Sequence, residues 1–150
     1  MAQVTDHKLA GRLLFPVAVP ALTIVTASPS AWARAWATAR PFARPMPRRG
    51  AWYPVVGETS GDRAVIQING RKVAIAKRFL ELRQERPRTF TAVIRGINEP
   101  NPTRGTKRDL GQTYAVCPQC AARNAVSPKA PVLSCAGCHH RGEVAWWESG

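Results

Sequence analysis

Four cysteines are the residues of this 150-residue chain whose spacing predicts a definite chemistry. They form two matched C-x-x-C pairs, Cys117 with Cys120 and Cys135 with Cys138, and 14 residues separate the pairs. Each pair bends the chain so that two thiolates point at one centre, and two pairs supply the tetrahedral S4 set that zinc prefers. The separation is one residue below the usual range, which shortens the intervening segment without preventing coordination. The spacing therefore predicts one structural Zn²⁺ ion bound by all four cysteines.

Residues 112–148 resemble the zinc ribbon family in this combination of two cysteine knuckles and short strands. A strand is expected at 124–127, a turn and a return strand at 132–134, and a third strand at 142–147. Gly137 suits the second knuckle because a left-handed backbone costs glycine nothing. Zinc ribbons occur in transcription machinery, ribosomal proteins and nucleic-acid enzymes. The resemblance therefore implies an association with such assemblies but does not identify the partner.

Two other chemistries fit part of the cysteine pattern. Residues 135–139 spell C-x-x-C-H, the attachment motif of c-type haem, with His139 as the proximal ligand. That reading requires an exported chain and leaves the first cysteine pair without a role, and both methionines lie far upstream. A disulfide or redox pair is the other alternative. With zinc, four thiolates complete the coordination shell, so His139 and His140 are expected in a solvated turn.

The first 45 residues differ in composition from the rest of the chain. An apolar stretch at 13–27 is followed by Ala31-Trp32-Ala33, which together pass for a secretory signal within residues 1–33. The stretch has 15 residues interrupted by two prolines, too short to span a bilayer. We favour the alternative, a disordered extension or an over-long gene start with Met46 opening the folded protein. Free thiolates that hold zinc then place the protein in the cytoplasm rather than in an oxidising compartment.

Residues 46–96 are predicted to form a small β-domain. The turn Asn69-Gly70 between two β-prone segments is the strongest hairpin signal of the chain. Residues 77–84 fit either a short helix or a strand, and 89–95 alternate in polarity as a strand does. So many short strands in so few residues weakly resemble an SH3-like barrel. The chain is thus expected to be mainly β, with a small barrel or bent sheet followed by the zinc ribbon.

Residues 97–111 have the composition of a basic linker between this domain and the ribbon at 112–150. The segment is rich in glycine and proline and carries three basic side chains, which favours an extended, mobile connection. Such a segment can follow a phosphate backbone, or it can be a solvated connection.

The net charge of +13 is concentrated in the middle of the chain. Residues 1–45 carry five basic and one acidic side chain (+4), residues 46–116 carry fourteen and six (+8), and residues 117–150 carry three and two (+1). A strongly basic surface favours polyanions, because each neutralised phosphate releases counterions.

This charge predicts a nucleic-acid-binding surface, and arginine, with its planar fork, supplies much of it. One of the two tryptophans at 146–147 is expected to be exposed, where it can stack on a base. The predicted contacts are Arg48, Arg49, Arg71, Lys72, Lys77, Arg78, Arg104, Lys107, Arg108 and Trp147. Further arginines, Arg83, Arg86 and Arg88, cluster around the next connection.

The leading function is therefore a non-enzymatic protein that binds RNA, DNA or a nucleoprotein complex. The alternative is a zinc-stabilised adaptor whose partner is a protein, and an exported c-type haem protein comes third. No membrane partner is expected. No nucleophile and base set, phosphate-binding glycine loop or paired carboxylates are recognisable in the sequence, and four cysteine ligands leave zinc no open position. The chain is accordingly predicted not to be an enzyme.

Overall fold

The computed structural model of the chain describes residues 29–36, 43–101 and 103–148. These residues form ten β-strands in two five-stranded sheets, together with two 3₁₀ turns and no α-helix. The prediction of a mainly β fold is confirmed. Among the described residues, no helix is long and apolar enough to cross a bilayer.

The first sheet, sheet A, curls into a half-barrel. Its strands are β1 (Ala31–Ala35), β2 (Tyr53–Glu58), β3 (Arg63–Ile68), β4 (Arg71–Ala76) and β5 (Leu80–Arg83). They lie in the order β4-β3-β2-β1-β5. The predicted Asn69-Gly70 turn joins β3 to β4, and both residues have positive φ, 49° and 78°. Residues 77–84 were expected to form either a short helix or a strand, and they contain both. A 3₁₀ turn at Lys77–Phe79 leads directly into β5.

Strand β1 corrects the prediction that residues 1–45 form a disordered extension. Ala31–Ala35 lies between β2 and β5 and pairs antiparallel with both, so that Ala33 faces Tyr53 on one side and Leu82 on the other. Ala33 is fully buried and Ala35 almost so, because small side chains fit the concave face of a tightly curled sheet. The Ala31-Trp32-Ala33 triplet therefore belongs to the folded sheet. The apolar stretch at 13–27 lies outside the described residues.

The second sheet, sheet B, carries the cysteines. Its strands are β6 (Phe90–Ile94), β7 (Thr113–Val116), β8 (Arg123–Ala125), β9 (Val132–Ser134) and β10 (Arg141–Ala145). They lie in the order β8-β7-β6-β10-β9. The predicted domain boundary at residue 96 is wrong. Strand β6 lies before that boundary, yet it forms the centre of sheet B. It pairs antiparallel with β7 and parallel with β10.

This order also corrects the predicted pairing within the ribbon. Strands β8 and β9 were expected to form a hairpin, but they lie at opposite edges of sheet B. Each instead pairs with the strand on the other side of its knuckle, β8 with β7 and β9 with β10. The expected third strand at 142–147 ends at Ala145, where a 3₁₀ turn, Trp146–Glu148, begins.

The predicted linker at 97–111 is a hairpin loop within sheet B, because it joins the antiparallel neighbours β6 and β7. Its base is closed by two hydrogen bonds, from Arg95 N to the Gln112 carbonyl at 2.8 Å and from Gln112 Nε2 to the Arg95 carbonyl at 2.9 Å. The Asp109 carboxylate accepts three more, from the N–H groups of Gly105 and Gly111 and from Asn101 Nδ2. These donors hold the pKa of Asp109 below its ordinary value. The loop is therefore organised around one carboxylate.

The two sheets share a core. Val93 of β6 and Tyr114 and Val116 of β7 belong to the same buried cluster as the inward side chains of sheet A. Gly50 sits where a Cβ would lie 2.8 Å from Val93 Cγ2, and its φ of 79° also favours glycine. The opposite face of sheet B forms a second cluster, which includes Phe90, Val144 and two of the cysteines. Strands β6 and β7 thus connect the predicted β-domain and the predicted ribbon through one shared core.

Arg34 of β1 links the sheets by polar contacts. Its buried guanidinium donates to Thr91 Oγ1 of β6 at 2.9 Å and to Glu81 Oε2 of β5 at 2.6 Å, and it lies 4.7 Å from the ring centre of Trp52. Burial by itself would raise the pKa of Glu81, but the hydrogen bonds from Arg34 and Arg83 lower it below its ordinary value. Because each charge has a partner, the pair is compatible with burial.

Candidate metal centre

The four cysteines predicted to bind zinc come together. Their Sγ atoms all lie within 4.8 Å of one another, with 3.6 Å between Cys117 and Cys138 and 3.6 Å between Cys120 and Cys135. A tetrahedron with metal–sulfur bonds of about 2.3 Å has edges of about 3.8 Å, whereas a disulfide needs about 2.05 Å. All four thiols are free. The geometry fits a single metal ion with four sulfur ligands.

Strands β7 and β8 flank the first knuckle, residues 117–122, and fix its conformation. Cys117 N donates to the Ala122 carbonyl at 2.9 Å, and Ala121 N donates back to the Cys117 carbonyl at 3.0 Å. Inside the turn, Gln119 N points at Cys117 Sγ at 3.4 Å. Such N–H groups favour the thiolate form that a metal requires.

The second knuckle, residues 135–140, repeats this pattern between β9 and β10. Cys135 N donates to the His140 carbonyl at 2.8 Å, His139 N to the Cys135 carbonyl at 3.0 Å, and Gly137 N to Cys135 Sγ at 3.3 Å. The left-handed residue is His139, with φ of 64°, and its counterpart Ala121 has φ of 60°. Gly137, expected to be left-handed, does not have positive φ. The two knuckles are therefore equivalent hooks on two hairpins.

The cysteines differ in burial and in proton affinity. Cys117 and Cys135 are buried, whereas Cys120 and Cys138 are exposed, so one side of the centre faces solvent. Burial raises the pKa of Cys117 to about 12. Burial also acts to raise the pKa of Cys135, but the N–H groups of Cys138 and Gly137 and the Asn124 amide outweigh it and lower the pKa to about 6. These donors favour the thiolate form of Cys135, which is the form that binds a metal.

Asn124, which is not among the predicted site residues, joins the two knuckles. Its buried side chain accepts a hydrogen bond from Ala136 N at 2.9 Å and donates to the Ala122 carbonyl at 3.1 Å, with Nδ2 3.6 Å from Cys135 Sγ. It thus holds the second knuckle against the first. Its signal in the sequence was only a polar residue in a strand four positions after Cys120.

Replacing Asn124 with alanine is expected to weaken the metal centre without removing a ligand. The change leaves the Ala136 N–H and the Ala122 carbonyl without this partner, which costs about 1–3 kcal/mol of folding stability. Loss of a residue that orients ligands typically lowers metal affinity by about 10- to 100-fold. Competition with a chromogenic chelator measures the affinity, and Val126→Ala on the same hairpin is the control. Unchanged affinity in Asn124→Ala would contradict this role.

The two histidines after the second cysteine pair separate in the structure. His139 is exposed, as expected. His140 is half-buried, stacks on Phe90 with ring centres 5.6 Å apart, and places Nε2 2.8 Å from the Arg88 carbonyl. Gly142 lies beside this contact, where a Cβ would approach the Arg88 carbonyl to 2.5 Å. His140 thus anchors the second knuckle to the segment before β6.

Three of the basic residues predicted to contact nucleic acid have partners within the protein. Arg48 Nη1 donates to the Ala121 carbonyl of the first knuckle at 2.6 Å. Arg49 pairs with Glu99 at 2.7 Å, and Lys77 pairs with Glu58 at 2.9 Å. These contacts give each side chain a structural role alongside the predicted one.

The other predicted contacts are exposed and belong to different elements. Arg71 and Lys72 begin β4, Arg78 lies over the Phe79 ring, and the remaining three cations lie in the β6–β7 loop: Arg104, Lys107 and Arg108. Trp147 is 72% exposed, and Trp146 is packed at the second cluster with Nε1 donating to the Ala130 carbonyl at 2.6 Å. One tryptophan is packed and the other is exposed, as expected. Both lie in a 3₁₀ turn, so their different environments do not arise from alternation along a strand.

A basic groove adjoins the first knuckle. It has a volume of about 810 Å³ and is lined by Arg83, Glu85, Arg86, Pro87, Arg88 and Gln119. Arg86 is held in place at its wall, because its guanidinium lies 4.3 Å from the Trp32 ring centre and donates to the Gln119 carbonyl at 2.6 Å. These arginines form a cluster in the sequence but are not among the predicted contacts. Their signal was three arginines within six residues.

Comparison with protein-family models, curated proteins and solved structures finds no significant match for this chain. The metal centre, the basic groove and the charge of the chain are therefore the grounds on which a function is proposed.

Proposed function

We propose that this protein is a non-enzymatic, zinc-stabilised nucleic-acid-binding protein, acting alone or within a nucleoprotein complex. The observation that carries the proposal is the groove beside the first knuckle, which Arg86 and Arg88 line and where Arg86 contacts the backbone of a metal-binding turn. Arg83 is paired with Glu81, so Arg86 and Arg88 against Glu85 leave the groove with an excess positive charge. Arginine forks suit bidentate contacts with phosphate.

Zinc is the ion that the donor set favours. Four thiolates in a compact tetrahedral arrangement are typical of structural zinc sites, which leave no open coordination position. Such a site needs reduced cysteines, which supports a cytoplasmic location. Elemental analysis of purified protein is expected to give one zinc per chain. A covalently bound red chromophore or two disulfides would contradict the assignment.

The groove is expected to bind nucleic acid in a salt-dependent manner. We predict that the double variant Arg86→Gln, Arg88→Gln lowers affinity for a mixed-sequence RNA or DNA by about tenfold or more and reduces the salt slope by about 2, since each lost phosphate contact removes about one released counterion. Both side chains are exposed, so the fold should be retained. Fluorescence anisotropy at several salt concentrations measures both quantities.

The matched control is the double variant Arg71→Gln, Lys72→Gln, which removes the same charge from the start of β4. Net charge falls equally in the two variants. If the groove is the binding site, the control should therefore lose less affinity for nucleic acid than the groove variant. Equal losses would assign binding to the general charge of the chain rather than to the groove. Absence of binding to any nucleic acid at low salt would favour the alternative, a protein-interaction adaptor that presents the exposed Trp147 to its partner.

A further inference from the structure

The loop between β6 and β7 encloses a cavity separate from the metal centre and the basic groove. Its volume is about 390 Å³, within the range of sites for small ligands. The lining residues are Arg95, Gly96, Ile97, Glu99, Asn101, Arg104, Asp109, Gly111 and Gln112. Six of these nine residues carry polar or charged side chains.

Arg95 is the unusual residue of this cavity. It is only 8% exposed, and its guanidinium lies 5.0 Å from the ring centre of Tyr114. Its Nη1 is the one buried side-chain nitrogen or oxygen atom of the described residues that has no hydrogen-bond partner. Buried cations are ordinarily paired, because an unmade hydrogen bond to a charged group is unfavourable. The site therefore lacks an acceptor.

Neither acid of the cavity accepts a hydrogen bond from Arg95 Nη1, although the charge of Arg95 contributes to the lowered pKa of Asp109. Glu99 accepts hydrogen bonds from Arg49 at 2.7 Å and from Gly96 N at 2.9 Å. Asp109 accepts from the three N–H donors that organise the loop. Arg104 is exposed at the rim and adds a second positive charge. With Arg49 counted, three arginines face two carboxylates that already have donors, so the unmatched charge is positive.

We propose that this cavity binds one phosphate group, with Arg95 as the buried donor and Arg104 as the donor at the rim. A planar guanidinium fork matches the oxygens of phosphate, and an anionic group suits a loop that also carries Lys107 and Arg108. The phosphate can belong to a free small molecule or to a nucleic-acid chain. The proposal stands without the basic groove, because no lining residue is shared between the two.

The test uses the full-length, metal-loaded protein and follows the arginine Nε–H resonances by NMR. Inorganic phosphate, adenosine monophosphate and a short single-stranded oligonucleotide are added separately at constant ionic strength, with chloride as the reference anion. We expect the Arg95 resonance to shift with phosphate and not with chloride. A shift with phosphate or the mononucleotide identifies a free ligand, and a shift with the oligonucleotide alone identifies a nucleic-acid backbone.

Two variants separate the site from general charge. Arg95→Met is expected to weaken binding of the effective probe by at least about tenfold, while Arg108→Met, an exposed neighbour outside the cavity, retains it. If Arg95→Met fails to fold, Arg104→Met at the rim takes its place and is expected to weaken binding several-fold. Equal weakening in Arg108→Met, or no response of Arg95 to any of the three probes, overturns the proposal. Nucleic-acid binding that survives Arg95→Met but not the groove variant would leave the proposed function intact.

Discussion

A chain that begins at Met46 is expected to lose its cooperative fold, because it lacks β1. That strand fills the space between β2 and β5 and supplies buried Ala33, Ala35 and Arg34. Its removal leaves β5 without a neighbour, exposes one edge of β2 and deprives Glu81 of one of its two arginines. With each backbone hydrogen bond contributing about 1 kcal/mol, the loss is roughly 5 kcal/mol or more, comparable to the whole stability of a small domain.

Chemical denaturation of the 46–150 chain measures this effect, and a chain of residues 29–150 is the matched control because it keeps β1. The difference between the two isolates the contribution of residues 29–45. Equal stability of both chains would show that β1 is dispensable and would restore Met46 as a sufficient start for the folded protein.

Replacing Cys117 with serine is expected to release the metal and to destabilise both sheets. Structural zinc contributes about 10–16 kcal/mol of apparent binding free energy in zinc-finger peptides, so loss of one ligand removes a large share of the stability. The cysteine belongs to the second cluster, whose strands β6 and β7 also supply Val93, Tyr114 and Val116 to the core of sheet A. Unfolding of the metal centre should therefore extend beyond sheet B.

Amide hydrogen exchange distinguishes this outcome from local melting. Protection is expected to fall at Ile66 and Ile75 in sheet A as well as at Val144 in sheet B. Ala136→Ser, which adds a hydroxyl group at an exposed position between two ligands, is the control and should keep both the metal and the protection. Full protection of sheet A in Cys117→Ser would show that the two sheets fold independently.

The sequence predicted those features that a few neighbouring residues specify. Ligand spacing was sufficient for the cysteine cluster, because each C-x-x-C pair forms its own knuckle. Turn chemistry was sufficient for the Asn69-Gly70 hairpin, because both residues accept positive φ. Strand β6 was predicted from its alternation, but its sheet was assigned wrongly, since alternation carries no information about which strand lies beside it.

Strand β1 shows why the N-terminal boundary was missed. Its residues, Ala31–Ala35, include three alanines and an arginine, a composition that is not typical of strands. They are extended because β2 and β5 offer hydrogen bonds on both sides and because Arg34 finds Glu81 and Thr91. None of these partners lies within 15 residues along the chain, so no local pattern announces the strand.

Residue types and their spacing were enough to predict the four-sulfur centre, the mainly β character and the excess of positive charge. Three features became visible only in the folded chain: the parallel pairing of β6 with β10, the position of Asn124 between the two knuckles, and the cavity at which Arg95 has no acceptor. The division has a physical cause. Ligand geometry and turn preference act between residues adjacent in the chain, whereas strand order and burial depend on residues brought together only by folding.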